Sequence, residues 1–276
     1  MLQSIIDFFA HISSGARAGI LVGGIALFWI IESWAPLFHF SYQKGRHALL
    51  NIFFTLTTIV VNFLLAGLLL YVSNLTAERT FGIWWWLEIP LLAKLMVGLL
   101  LMDFIGAYCA HFAEHRMPLL WRFHAIHHMD KQVDTTTANR HHPVESVIRF
   151  LFTLLAVALI GAPMWLVMLY QSMSVVLSQF NHANITLPVW LEKSVGWFIV
   201  TPQMHKVHHH YKMPYTDTNY GNIFSVWDYL FRTHSKLPND QLTYGLDVVF
   251  DRNEADLKDQ MILPFHHTMT TGKGKD

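Results

Sequence analysis

Three short runs carry most of the chemistry open to this sequence. His111 and His115 stand four residues apart in AHFAEH, while His124, His127, His128 and His205, His208, His209 repeat the form HxxHH. On a helix, residues three and four apart share a face, so each run can aim two or three imidazoles at one point. Neutral imidazole suits iron, zinc, copper or nickel; magnesium and calcium prefer oxygen ligands. So many nitrogens exceed the needs of one ion, whereas two ions with four or five each keep positions open for oxygen, water or a reacting atom.

His182, in SQFNHAN, is a ninth candidate because it closes an apolar stretch on the side where the three runs lie. His141 and His142 in RHHPVE suit capping, or support behind the ligands, better than ligation. His210 lies off the shared face of its run, and His11, His39, His47, His234, His266 and His267 fit no spacing, which suggests packing or solvated surface. Carboxylates behind ligating rings fix their tautomer and orientation, and Asp103, Asp217 and Asp228 are the candidates by proximity to the runs. Asp103 also shares a helical stripe with Ala107, His111 and His115, and a carboxylate inside an apolar span usually marks a functional site.

Apolar helices must position these residues. Hydrophobic residues make up 53% of the 276 and charged residues only 14%, which points to lipid as the solvent for much of the chain. A hydrocarbon core of ~30 Å needs about 20 apolar residues, and the runs 18–38, 48–73 and 87–110 qualify. The first lacks a basic leader and a small-residue cleavage site, so it is expected to remain as an anchor. A fourth run, 146–181, is broken at Gly161, Ala162 and Pro163 and reads as a helical hairpin.

Lys44 and Arg46 follow the first span, only Arg79 follows the second, and Arg116, Arg122, Lys131 and Arg140 follow the third. The positive-inside rule then puts the histidines on the cytoplasmic face, that of the inner membrane if the source is bacterial. The expected fold is all-α: one integral-membrane domain whose histidine-bearing cap comprises 111–145 and 182–234, with a polar, weakly structured tail at 235–276.

Nineteen Lys plus Arg balance nineteen Asp plus Glu, so there is no basic field to draw nucleic acid. The single cysteine, Cys109, cannot build a disulfide within the chain or an iron–sulfur cluster. No GxGxxG follows a strand. Redox chemistry here would therefore need a separate electron donor.

In order along the chain, DFIGAYCAHFAEH, PLLWRFHAIHH, DTTTANRHHPVE, SQFNHAN, TPQMHKVHH and DTNYGNIFSVWDYLF resemble the fatty acid hydroxylase and sterol desaturase superfamily. The resemblance implies a non-haem centre of two iron ions, with zinc as a possible substitute, held by His111, His115, His124, His127, His128, His205, His208 and His209 with His182 joining them. It further implies hydroxylation or desaturation of a lipid using O2 and two electrons from a ferredoxin, cytochrome or flavoprotein reductase. Fatty acid hydroxylases of the superfamily carry a further histidine where this chain has Ser178, and the context of His182 is closer to the alkylglycerol monooxygenase branch. Two other readings fit histidine clusters. A zinc-dependent lipid hydrolase would use metal-bound water, and a metal transporter would carry ionisable residues deep in several spans.

Overall fold

The computed structural model describes residues 1–247 and 256–265, and every regular element among them is a helix. The chain opens with α1 (Leu2–Ala10) and α2 (Ser14–Trp34), which starts where the Ser13 hydroxyl accepts the Ala16 amide. Then come α3 (Lys44–Glu78), the single turn α4 (Ile83–Trp86) and α5 (Leu91–Asp103). α5 passes through a π-helical segment, Phe104–Cys109, into α6 (Ala110–Arg116). α7 (Pro118–His128) follows, then the hairpin of α8 (Pro143–Ile160) and α9 (Met164–His182). Short helices complete the cap: α10 (Val189–Val195), α11 (Pro202–His208), α12 (Val226–Leu230) and α13 (Leu257–Ile262).

Four stretches are long and apolar enough to cross a membrane: Ser14–Trp34, Lys44–Trp86, Leu91–Arg116 and Pro143–Ile160. Leu27, Ile30, Phe63, Leu64, Leu92 and Leu151 are all exposed on them. Water would disfavour so much bare apolar surface, whereas lipid tails match it. The protein is an integral membrane protein. α3, at 35 residues, spans about 52 Å, well beyond a hydrocarbon core. Its N-terminal part carries the polar residues Lys44, Arg46 and His47, and buries Asn51 and Thr55.

The helices meet around Leu69, Leu99, Met102, Val157, Leu166 and Tyr170. Trp84 joins this core, edge-on to Trp165 at 5.5 Å, while Trp86 is exposed. The hairpin turns at Gly161, which takes φ +71° and ends α8. A side chain there would place its first carbon 2.1 Å from the Phe81 carbonyl oxygen, so only glycine allows this close approach.

One stretch of the expected loose tail, 257–265, is helical. The turn after α13, Leu263–Phe265, packs on α7, and Leu263 joins Phe54, Ala125, Ile126 and Met129 in a second core. The tail is polar overall, but Leu257, Met261 and Leu263 give this stretch an apolar side that docks on this core. His266 and His267 lie outside the described residues.

Candidate metal centre

Four helices deliver the histidines to one place. α6 carries His111 and His115 on neighbouring turns. α7 starts at Pro118, whose missing N–H suits a first helical position, and ends on its histidine run. α11 starts the same way at Pro202, with the Thr201 hydroxyl accepting the Met204 amide at 3.3 Å. α9 ends on His182.

All nine candidate histidines come together, in two groups. His111, His115, His124, His128 and His208 form one; His127, His182, His205 and His209 form the other. Within each group the nearest ring nitrogens all lie within 4.8 Å of one another, an arrangement that could hold a metal ion. No ring is more than 5% exposed.

Tautomers test whether a cation fits. His111 Nδ1 faces the Tyr220 carbonyl at 2.9 Å and His124 Nδ1 faces Glu145 Oε1 at 2.7 Å. A carbonyl and a carboxylate only accept, so both rings carry their proton on Nδ1 and present a lone pair at Nε2. Those two Nε2 atoms are 3.1 Å apart. Two lone pairs at that distance repel unless a positive ion lies against both. His182 repeats the pattern: Nδ1 donates to the Ser178 carbonyl at 2.7 Å, and Nε2 is 3.1, 2.9 and 3.3 Å from Nε2 of His127, His205 and His209. Nitrogens about 2.1 Å from a common ion, at tetrahedral to right angles, are about 3.0–3.4 Å apart. The observed spacings are those of a ligand set.

Electrostatics favour the same state. Burial, then crowding by neighbouring imidazoles, holds His124, His127, His128, His205 and His209 well below the ordinary value of 6.5. The same two causes lower His208. These rings are neutral at pH 7, the form a metal requires.

The carboxylates divide differently from the sequence expectation. Asp217 does stand behind a ring, with Oδ1 3.3 Å from His115 Nδ1. Asp103 does not. Its carboxylate accepts the amides of Ile223 and Phe224, each at 3.2 Å, and the Trp227 indole at 3.1 Å. The π-helical segment lies between Asp103 and His111 and changes the helical phase, so the stripe expected of a regular helix is broken. Asp228 acts one step removed, accepting the Tyr220 and Gly221 amides at 2.8 and 2.9 Å and so fixing the carbonyl that meets His111. His142 is a helix cap: its Nδ1 accepts the Val144 amide at 3.2 Å, and it touches none of the nine rings. His141 lies nearer, its ring 5.2 Å from that of His127.

Three residues not singled out by spacing complete the surroundings. Glu114 and Glu145 are fully buried beside His124, and Arg149 bridges them, with Nη2 2.7 Å from Glu114 and Nε 3.1 Å from Glu145. Glu114 and Glu145 do lie close to histidines, in HFAEH and HHPVE, but so do many ordinary helix-end acids, and Arg149 has no such mark. His47, whose position fits no spacing and suggests packing or solvated surface, is a largely buried clamp. Its Nε2 is 2.9 Å from both Asp130 oxygens and its Nδ1 3.2 Å from Asp134, tying α3 to the loop after α7.

On the far side of α11 lies a cavity of about 650 Å³, lined by Met204, Val207, Trp197 and Leu237 among others and by none of the nine histidines.

Comparison with known proteins finds similarity to lipid hydroxylases and monooxygenases. The chain is 26% identical over 154 residues to an ornithine lipid hydroxylase of Rhizobium tropici, covering 56% of this chain and 45% of that one. It is 30% identical over 161 residues to an alkylglycerol monooxygenase of Caenorhabditis elegans, covering 58% and 30%. It is 29% identical over 165 residues to a fatty acid hydroxylase of Lecanicillium, covering 54% and 43%. The match thus spans less than half the length of each of these relatives. No solved structure matches the chain. The fatty acid hydroxylase profile matches residues 95–233, half of the sequence and the part that holds all nine histidines, and the chain belongs to the fatty acid hydroxylase family.

Proposed function

We propose that this protein is an oxygen-dependent lipid hydroxylase with two iron ions. His111, His115, His124, His128 and His208 hold one, and His127, His182, His205 and His209 hold the other. The observation that carries the reading is the pair of lone pairs on His111 and His124 facing each other across 3.1 Å. Five nitrogens in one group also exceed the four ligands zinc takes in structural sites, which favours iron. Bound there, iron supplies the reductive activation of O2 needed to oxidise an alkyl C–H bond.

The chain's own residues orient and insulate that chemistry. Asp217, Glu145 and the Tyr220, Thr218 and Ser178 carbonyls hold the Nδ1 protons, so every ring they touch offers Nε2 inward. Burial of the rings excludes bulk water. The substrate is a lipid drawn from the bilayer, a reading supported by relatives named for ornithine lipid, alkylglycerol and fatty acid. Electrons come from a separate ferredoxin, cytochrome or flavoprotein reductase. Lys44 and Arg46, between the first two spans, and Arg116, Arg122, Lys131 and Arg140, after the third, support the site's lying on the cytoplasmic face.

The test is iron analysis of gently purified protein, together with lipid mass spectrometry of cells with and without the gene. We expect two irons per chain and a lipid heavier by one oxygen, absent in His127→Ala and without O2. Loss of two hydrogens instead would make the enzyme a desaturase. Lipid cleavage that persists without O2 would replace the reading with zinc-dependent hydrolysis.

A further inference from the structure

The two histidine groups differ in what stands behind them. In the five-nitrogen group, four rings have an acceptor for the Nδ1 proton. His111 uses the Tyr220 carbonyl, His115 Asp217, His124 Glu145, and His208 the Thr218 carbonyl at 2.7 Å. In the four-nitrogen group only His182 has one; Nδ1 of His127, His205 and His209 is buried without a hydrogen bond. Among the described residues, both carboxylates within hydrogen-bond distance of ligand rings therefore serve the same group.

Glu145 makes the shorter of those two contacts, 2.7 Å against 3.3 Å for Asp217. It is fixed at the first turn of α8 by Arg149, one turn further on, which Glu114 anchors from α6. Proximity alone would group Glu114, His124 and Glu145 as a third metal site. The guanidinium of Arg149 already supplies the positive charge between the two carboxylates. The cluster is thus an oriented base directed at one ligand. A carboxylate on an imidazole Nδ1–H draws the proton toward itself and makes Nε2 a stronger donor to a metal.

We propose that Glu145 is a positioning residue which, with Asp217, makes the five-nitrogen site hold its ion tightly. The four-nitrogen site, with fewer ligands and unsupported rings, then holds the exchangeable ion and the open positions. This rests on the two-ion reading above.

The experiment is anaerobic loading of the full-length protein in detergent with Fe2+, followed by challenge with a coloured iron(II) chelator. Wild type is expected to release two equivalents in two phases of equal amplitude. Glu145→Gln removes the charge but keeps the shape, and should accelerate the slow phase by about 10–100-fold while leaving the fast phase unchanged. Asp217→Asn, reaching the same site from another segment, should accelerate the same phase, and Glu145→Asp should restore part of the difference. A merely structural role would speed both phases together. Release of two equivalents in a single phase, or equal acceleration of both phases in both variants, overturns the proposal. Uptake of fewer than two equivalents by wild type overturns the two-ion reading beneath it as well.

Discussion

Trp227 donates its indole N–H to Asp103 across 3.1 Å, joining a residue at the end of a membrane helix to one in the cap. The same carboxylate accepts the Ile223 and Phe224 amides, so the segment leading to Tyr220 and His111 hangs from one buried side chain. Asp103→Ala strands three donors. At roughly 1–3 kcal/mol for each unsatisfied buried group, the loss should be about 3 kcal/mol or more. Thermal unfolding in detergent measures it. Trp227→Phe, which removes one donor and keeps most of the packing, should lose about 1 kcal/mol.

Acid should destabilise the metal-free protein. The rings of His124, His127, His128, His205, His208 and His209 sit well below 6.5 when folded, because burial and neighbouring rings oppose their charging. The unfolded chain takes up protons as pH drops below about 6.5 and the folded one does not. The stability these neutral rings contribute is thus complete above that pH and is lost progressively as pH falls toward their folded values. The melting temperature of chelator-treated protein should be level from pH 7.5 to 8.5 and fall steeply from 6.5 to 5. A rise on acidification would contradict the assigned neutral state.

Metal removal itself should be costly. An ion that binds only the folded protein stabilises it by about 4 kcal/mol at a concentration a thousandfold above its dissociation constant. Melting temperature should therefore rise with added Fe2+ in wild type. The rise should be smaller in His124→Ala, which removes the Nε2 that faces both His111 and His128.

His47→Ala should destabilise the cap without touching a ligand. The substitution leaves Asp130 and Asp134 buried beside an empty place, and breaking one side of a buried pair costs about 3–5 kcal/mol. Burial alone would raise the Asp130 carboxyl, but His47 and Arg140 hold it below the usual carboxylate range. Chemical unfolding monitored by tryptophan fluorescence checks the magnitude.

Gly161→Ala tests the hairpin turn. The positive φ and the 2.1 Å approach to the Phe81 carbonyl both oppose a side chain, so the variant should lose more than about 1 kcal/mol or fail to insert. Protease protection of membranes carrying the variant would report the failure.

What the sequence disclosed follows from where each kind of information is written. Ligation to a shared ion imposes helical spacing, so the runs at 111–115, 124–128 and 205–209 announce themselves, and burial in lipid demands long apolar runs. His182 was accessible because an apolar hairpin had to return it to the same side. Glu145 was not, because a single carboxylate at a helix start looks like an ordinary N-terminal acid, and its partner lies 21 positions away. The clamp between His47 and Asp130 spans 83 positions and has no periodicity at all. Support from the Tyr220, Thr218 and Ser178 carbonyls leaves no trace in side-chain identity. Asp103 was assigned the wrong neighbour because a π-helical turn follows no residue pattern that spacing could detect.

Every candidate ligand ring is closed off from solvent, with at most 5% of any one exposed. Among the described residues, rings so deeply buried leave a hydrated ion no direct route to the nitrogens. Iron must then enter through a partial opening of the cap, so metal-free protein should load slowly. Chains completed during iron scarcity would stay inactive until the cap partly reopened.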